Sequence, residues 1–217
     1  MKKFMRYLIL MGAILLTAGC EPPAPPVMEG ATVLPTPRVL QPFQLSHHAL
    51  GKFGPEQIAG NWTLFFFGYT RCPDVCPTEL YTLAEMMRRI EKSPGSVEPP
   101  QVTFVSVDPQ QDLPGELQRY AGFYHPSFLG VTAEQAEVDR FARNMGAMYE
   151  RVYFFQGKEL IIDPDEGVPE GLENGYLINH SATIFLTNPK GELHAIFSTP
   201  HQPDSMVRDL AAIQSAW

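Results

Sequence analysis

Residues 63–68, TLFFFG, are apolar at nearly every position and are bounded by Asn61 and Gly68. A short continuous apolar run of this kind predicts a strand buried on both faces. Residues 77–92 then place Leu80, Leu83, Ala84, Met87 and Ile90 at helical spacing, with Pro77 and Glu79 in the first turn. QVTFVSVD (101–108) predicts a second buried strand. A helix follows over about 114–124, a short strand near SFLGVT, and a helix over about 134–146 bearing Val138, Phe141 and Met145. MYERVYFF (148–155) alternates as a strand does. ATIFLTN and ELHAIFS flank PKG as a hairpin, and a last helix begins at about Pro203. Strands alternating with helices, closed by a hairpin and a helix, predict a mixed α/β sheet covered on both faces. Residues 156–175, QGKELIIDPDEGVPEGLENG, are polar, acidic and Gly-rich, and read as an excursion from the core, a loop or small hairpin.

The pattern changes before Phe43. Lys2, Lys3 and Arg6 precede an apolar run from Tyr7 to Leu16, followed by LTAGC. A charged start, a short apolar stretch and a small-residue cleavage site predict an export signal over 1–19. The run falls short of the roughly 20 residues of a transmembrane helix. LTAGC resembles a bacterial lipoprotein signal, in which the cysteine, here Cys20, becomes the lipid-modified first residue. The alternative is an uncleaved signal anchor, and both keep an exported domain at a membrane. Residues 21–42 hold seven prolines and no amphipathic pattern, so 20–42 reads as a lipidated tether and 43–217 as the domain. Such a tether reaches roughly 65 Å in the polyproline limit and about 25 Å when flexible. Of 16 basic residues the leader holds three, leaving 13 against 24 acidic ones. Nucleic acid and anionic lipid are therefore poor partners for the domain.

With Cys20 set aside, Cys72 and Cys76 remain, spaced i and i+4 where a strand hands over to a helix, in a disulfide-permissive compartment. On a helical turn their Cβ atoms would lie about 5–6 Å apart, which permits a disulfide and equally permits chelation of one metal ion. Arg71 and the helix N-terminus favour thiolate character, which suits a redox couple or a soft metal. A structural bridge would close only a tiny loop and stabilise little. Two thiolates need a third ligand. Among the six histidines His180 stands apart, because YLINHSATIFL places it just before an apolar strand, at the kind of sheet edge where ligand sites gather.

FFFGYTRCPDVCP, VTFVSVDPQQD and YLINHSATIFLTNPKG, in this order and spacing, resemble the Sco/SenC family of copper-delivery proteins over roughly residues 43 to 213. The resemblance implies a thioredoxin-like fold and copper held by Cys72, Cys76 and His180, as copper(I) with copper(II) left open. It implies a role in building the dinuclear copper A site of cytochrome c oxidase subunit II, by delivering copper, by reducing the target cysteines, or both. Other periplasmic copper chaperones and thioredoxin-like reductases are the further partners implied. Asp108 and Asp112 match acidic positions placed near the site or at the partner surface, the alternative being helix caps. Arg71 stands where the family often has His, and Asn179 where Asp is usual, changes expected to alter the surroundings of the ligands. The reading is a lipid-anchored, periplasm-facing metallochaperone rather than an enzyme in the turnover sense. Its rivals are a thiol–disulfide oxidoreductase, with Cys72 attacking and Cys76 resolving, and a copper sensor. The Cys-x₃-Cys spacing and the lack of a proline in NHSAT argue against the oxidoreductase.

Overall fold

The computed structural model describes residues 27–95, 97–160, 170–172 and 175–217. The leader, Cys20, the start of the proline-rich segment and residues 161–169 of the acidic excursion lie outside the described residues. The described chain runs β1 (Ala31–Val39), β2 (Leu45–His47), β3 (Gly51–Phe53), α1 (Pro55–Ile58), β4 (Thr63–Gly68) and α2 (Val75–Lys92). It continues through β5 (Gln101–Ser106), α3 (Pro114–Tyr124), β6 (Leu129–Thr132), α4 (Gln135–Met145), β7 (Tyr149–Phe155) and β8 (Lys158–Leu160). It ends with β9 (Tyr176–His180), β10 (Ile184–Thr187), β11 (Glu192–Phe197) and α5 (Pro203–Ser215).

Eight strands form one mixed sheet in the order β1-β11-β10-β4-β5-β6-β2-β3, with β4, β5 and β6 parallel. The expected mixed α/β architecture is therefore the observed one. All six residues of β4 are buried, and successive phenylalanines face opposite sides. Phe65 and Phe67 meet Phe141 of α4 at 5.5 and 5.7 Å between ring centroids, while Phe66 meets Phe104 of β5 at 6.1 Å. Helix α2 packs against both α3 and α5. Two covered faces explain why β4 shows no polar alternation. The excursion after β7 opens as the β7–β8 hairpin, and β9 pairs with the other edge of β7 in a separate three-stranded sheet.

Residues 31–39 belong to the fold and not to the free segment that their proline content implies. Ala31–Val39 is an edge strand, paired with β11 from Ala31↔Phe197 to Val39↔Glu192. Pro35 and Pro37 fall where the register shifts between Val33 and Arg38, and an edge strand tolerates residues that cannot donate. The buried Asp209 of α5 accepts the backbone N–H groups of Glu29, Gly30 and Ala31, each at 2.8 Å. Arg208 pairs with the Glu29 carboxylate. Long-range pairing overrides composition here, since the partners lie about 180 residues away.

A buried ion pair joins α2 to the segment leading into α5. His201 Nδ1 lies 2.7 Å from Glu79 Oε2, and its Nε2 lies 3.1 Å from the Phe197 carbonyl oxygen. Both ring nitrogens thus face acceptors, an arrangement that only the imidazolium satisfies. Burial opposes the charge, but the bonds to Glu79 and Phe197 outweigh it and raise the His201 pKa above its ordinary value.

Two measurements check these contacts. In urea denaturation a chain beginning at Phe43 unfolds well before one beginning at Val27, and Asp209→Asn alone costs about 3 kcal/mol, because three charge-assisted bonds are weakened. Equal midpoints would mean that β1 is dispensable. For His201 the folded pKa is the higher one, so its contribution is complete below about pH 6.5 and fades as the pH rises through the raised value. His201→Gln therefore costs about 3 kcal/mol at pH 6, and the gap from the parent narrows towards pH 8.5.

Candidate metal centre

The C-terminal ends of β4 and β5 leave the sheet together, paired as far as Gly68↔Ser106, and their loops build the site. After Gly68 the chain turns through Tyr69–Asp74 into α2. The Cys72 N–H donates to the Tyr69 carbonyl at 3.3 Å. Cys76, in the first turn of α2 and fully buried, donates its N–H to Cys72 Sγ at 3.4 Å. Both cysteines are free thiols. Gly68 is what permits the approach: a Cβ there would lie 2.4 Å from Cys76 Sγ and 2.8 Å from the Phe104 ring.

His180 arrives from the other sheet. It ends β9, opposite Tyr149 of β7, and precedes the apolar strand β10. Its Nε2 lies 3.2 Å from Cys76 Sγ and 3.8 Å from Cys72 Sγ. Its Nδ1 faces the Ser181 carbonyl oxygen at 3.1 Å, so a proton on Nδ1 leaves the Nε2 lone pair turned to the sulfurs. The Phe66 and Tyr69 rings meet the imidazole at 5.9 and 6.1 Å, nearly edge-on. The three ligand atoms lie within 4.8 Å of one another, the one such cluster of His, Cys, Asp or Glu among the described residues.

The two sulfurs are chemically unequal. A hydrogen bond from the Cys76 thiol, backbone N–H bonds at Asp74 and Cys76 and the contact with His180 together outweigh burial and hold Cys72 down to about 4. Burial, and then the neighbouring Cys72 charge, push the Cys76 thiol up. Arg71 does not contribute in the way its adjacency suggests, because Asp108 engages it.

Asp108 is fully buried. It accepts from Tyr176 Oη at 2.7 Å, from Arg71 Nη2 at 3.2 Å and from Arg151 Nη2 at 3.4 Å. The two guanidinium groups also lie over the Tyr176 ring, at 5.2 and 4.4 Å from its centroid. Arg71 belongs to the cysteine loop, Arg151 to β7 and Tyr176 to β9, so this carboxylate joins the carriers of all three ligands. Asp112 accepts from Thr70 N–H at 2.9 Å, Thr70 Oγ1 at 2.5 Å and Ser106 Oγ at 2.6 Å, while burial raises its pKa. Both carboxylates are buried, which removes them from a partner surface, and α3 has no side-chain cap, which removes the capping alternative. Asn179 is exposed and binds Glu150, its cross-strand neighbour, at 3.3 Å.

Four other histidines are engaged elsewhere: His47 with Gln118, His125 with Ser127 and Glu91, His194 with Trp62 and Trp217, and His201 with Glu79. Tyr69 and Tyr176 escape sequence reasoning. The Tyr69 hydroxyl accepts the Ile178 N–H at 3.2 Å, bracing β9 beside the cysteine loop. No local pattern marks them, since each acts on an element distant in sequence. Beside His180 opens a cavity of about 870 Å³, lined by Tyr149, Arg151, Asn179, Ser181 and Asp139 among others.

The SCO1/SenC family model matches residues 32–215. The chain is 33% identical over 160 residues to the human mitochondrial SCO2 homolog, covering 72% of this chain and 54% of that one. It thus spans about half the length of the first curated relatives it matches. Among solved structures, apo Sco1 from Thermus thermophilus superposes with a TM-score of 0.66 at 33% identity, covering 88% of this chain and 98% of that one. Arabidopsis thaliana ScoI with copper bound gives 0.68 at 25% identity, covering 82% and 99%. In family model, curated relatives and thioredoxin-like architecture alike, the chain belongs to the SCO1/SenC family.

Proposed function

We propose that the chain is a membrane-tethered copper chaperone. Cys72 Sγ, Cys76 Sγ and His180 Nε2 hold one copper(I) ion as cargo and pass it to the copper A site of cytochrome c oxidase subunit II. The observation that carries the reading is the convergence of two sulfurs and one imidazole nitrogen within 4.8 Å. Copper(I) is soft and favours thiolate, with imidazole as a companion. Three ligands leave the ion open to attack by an incoming ligand from the recipient, and the cavity beside His180 provides room for that approach. A closed four-ligand cage would hold its cargo against transfer. The copper-bound Arabidopsis ScoI supports the choice of metal. The choice of recipient rests on the family resemblance.

Residues 1–19 are assigned as the leader and Cys20 as the lipidated residue, placing the domain on the periplasmic side of a bacterial membrane. A second reading, a thiol–disulfide oxidoreductase acting on the recipient's cysteines, draws on the same pair. The Cys76 N–H donated to Cys72 Sγ would steady an attacking thiolate.

Copper(I) titration of the reduced protein against a chromophoric chelator separates the two readings. One ion bound tightly, weakened by about tenfold or more in His180→Ala (over ~1.4 kcal/mol) and lost in the Cys72→Ser/Cys76→Ser double variant, supports the chaperone. Weak binding indifferent to His180 favours the oxidoreductase. Oxidation of the pair to a disulfide abolishes loading, since binding requires both thiolates. Gly68→Ala tests the packing: a methyl group in the space of Cys76 Sγ shifts that sulfur, and copper affinity falls while the cysteines remain titratable by a thiol reagent.

A further inference from the structure

The attachment point of the domain lies at the same end of the central sheet as the metal cluster. Ala31 pairs with Phe197, Phe197 with Ile184 and Ile184 with Phe66, so these residues form one row across β1, β11, β10 and β4. Gly68 and the cysteine loop continue from that row, and His180 leads into Ile184. Glu29 and Gly30 lie against residues 197–202 at this end, and the Ser198 N–H donates to the Gly30 carbonyl. The opposite end is marked by Trp62 at the start of β4, Lys190 in the β10–β11 turn and Trp217, whose ring stands 5.7 Å from Trp62 and 4.7 Å from Lys190 Nζ.

We infer that the bound domain presents its metal end towards the bilayer and serves only recipients whose accepting ligands lie close to the lipid surface. The inference rests on the lipid anchor at Cys20 proposed above. Because Asp209 grips Glu29, Gly30 and Ala31, the chain from Cys20 to its first fixed point on the domain runs no further than Glu29, rather than to residue 42. From Cys20 to Glu29 a chain spans at most about 30 Å when fully extended. A domain of this length is about 40 Å across. If the metal end pointed away from the membrane, the attachment point would stand about 40 Å above it, beyond the reach of the leash. An orientation with the site turned away from the bilayer is therefore excluded. A leash running to residue 42 would have imposed no such restriction, so three backbone hydrogen bonds to one aspartate set the orientation.

The chain's two tryptophans, Trp62 and Trp217, sit together at the far end and report the orientation directly. The full lipidated chain is placed in phosphatidylcholine vesicles containing dansyl-labelled phosphatidylethanolamine, and energy transfer from tryptophan to the headgroup acceptor is measured. A Leu113→Trp variant adds a donor at the metal end, on a side chain 59% exposed at the start of α3, where replacement leaves the core untouched. Weak transfer from the native chain, and a severalfold greater transfer from the added donor in Leu113→Trp, is the expected result. Transfer from the native tryptophans equal to or stronger than that of the added donor overturns the orientation while leaving the anchor intact. Failure of the chain to float with the vesicles overturns the anchor itself, and the orientation with it.

Discussion

The buried carboxylate of Asp108 is the contact on which the site's geometry depends. Its three partners sit on the cysteine loop, on β7 and on β9, and β9 ends at His180. The ligands come from two sheets and from positions more than a hundred residues apart, so an element must hold one against the other. A buried carboxylate facing two guanidinium groups and a phenol does this firmly: Asp108 stripped of its partners would be left unpaired in the interior, at a cost of about 3–5 kcal/mol. The Tyr176 ring between the two cations adds stacking to charge.

Around this strut the apolar lining gives the sulfurs their inequality. Cys76 lies under the Phe104 ring in the space left by Gly68, where an added charge would be poorly solvated. Cys72 receives the hydrogen bonds and carries the charge that Cys76 avoids. A soft cation would relieve the penalty of a second thiolate at Cys76, which is why such a pair suits a soft metal better than it tolerates two bare thiolates. The aromatic edges of Phe66 and Tyr69 confine the imidazole without closing the side that opens on the cavity.

The same economy of contacts governs how the domain is held. Composition makes residues 21–42 look like free chain, yet an edge strand and one aspartate incorporate everything from Glu29 onward.

From β4 onward most of the strands and helices, though not β9, were legible in the sequence because hydrophobic periodicity is local. TLFFFG announces a doubly covered strand, residues 77–92 an amphipathic helix, and PKG a hairpin turn. Cys72, Cys76 and His180 were legible as a group because three motifs resembling one family occur together in order. Other features were not written locally. Nothing near Pro35 and Pro37 says that β11 will pair with them, and nothing near Tyr176 or Arg151 says that Asp108 will receive both. Arg71 reads as a neighbour of Cys72 along the chain, whereas in space it belongs to Asp108. The sequence by itself determined most of the elements from β4 onward, through periodicity, and the candidate ligands Cys72, Cys76 and His180, through residue type and motif resemblance. Only the tertiary structure decided which distant groups meet, because the energy of a buried charge or an edge strand depends on partners that the local chain cannot specify.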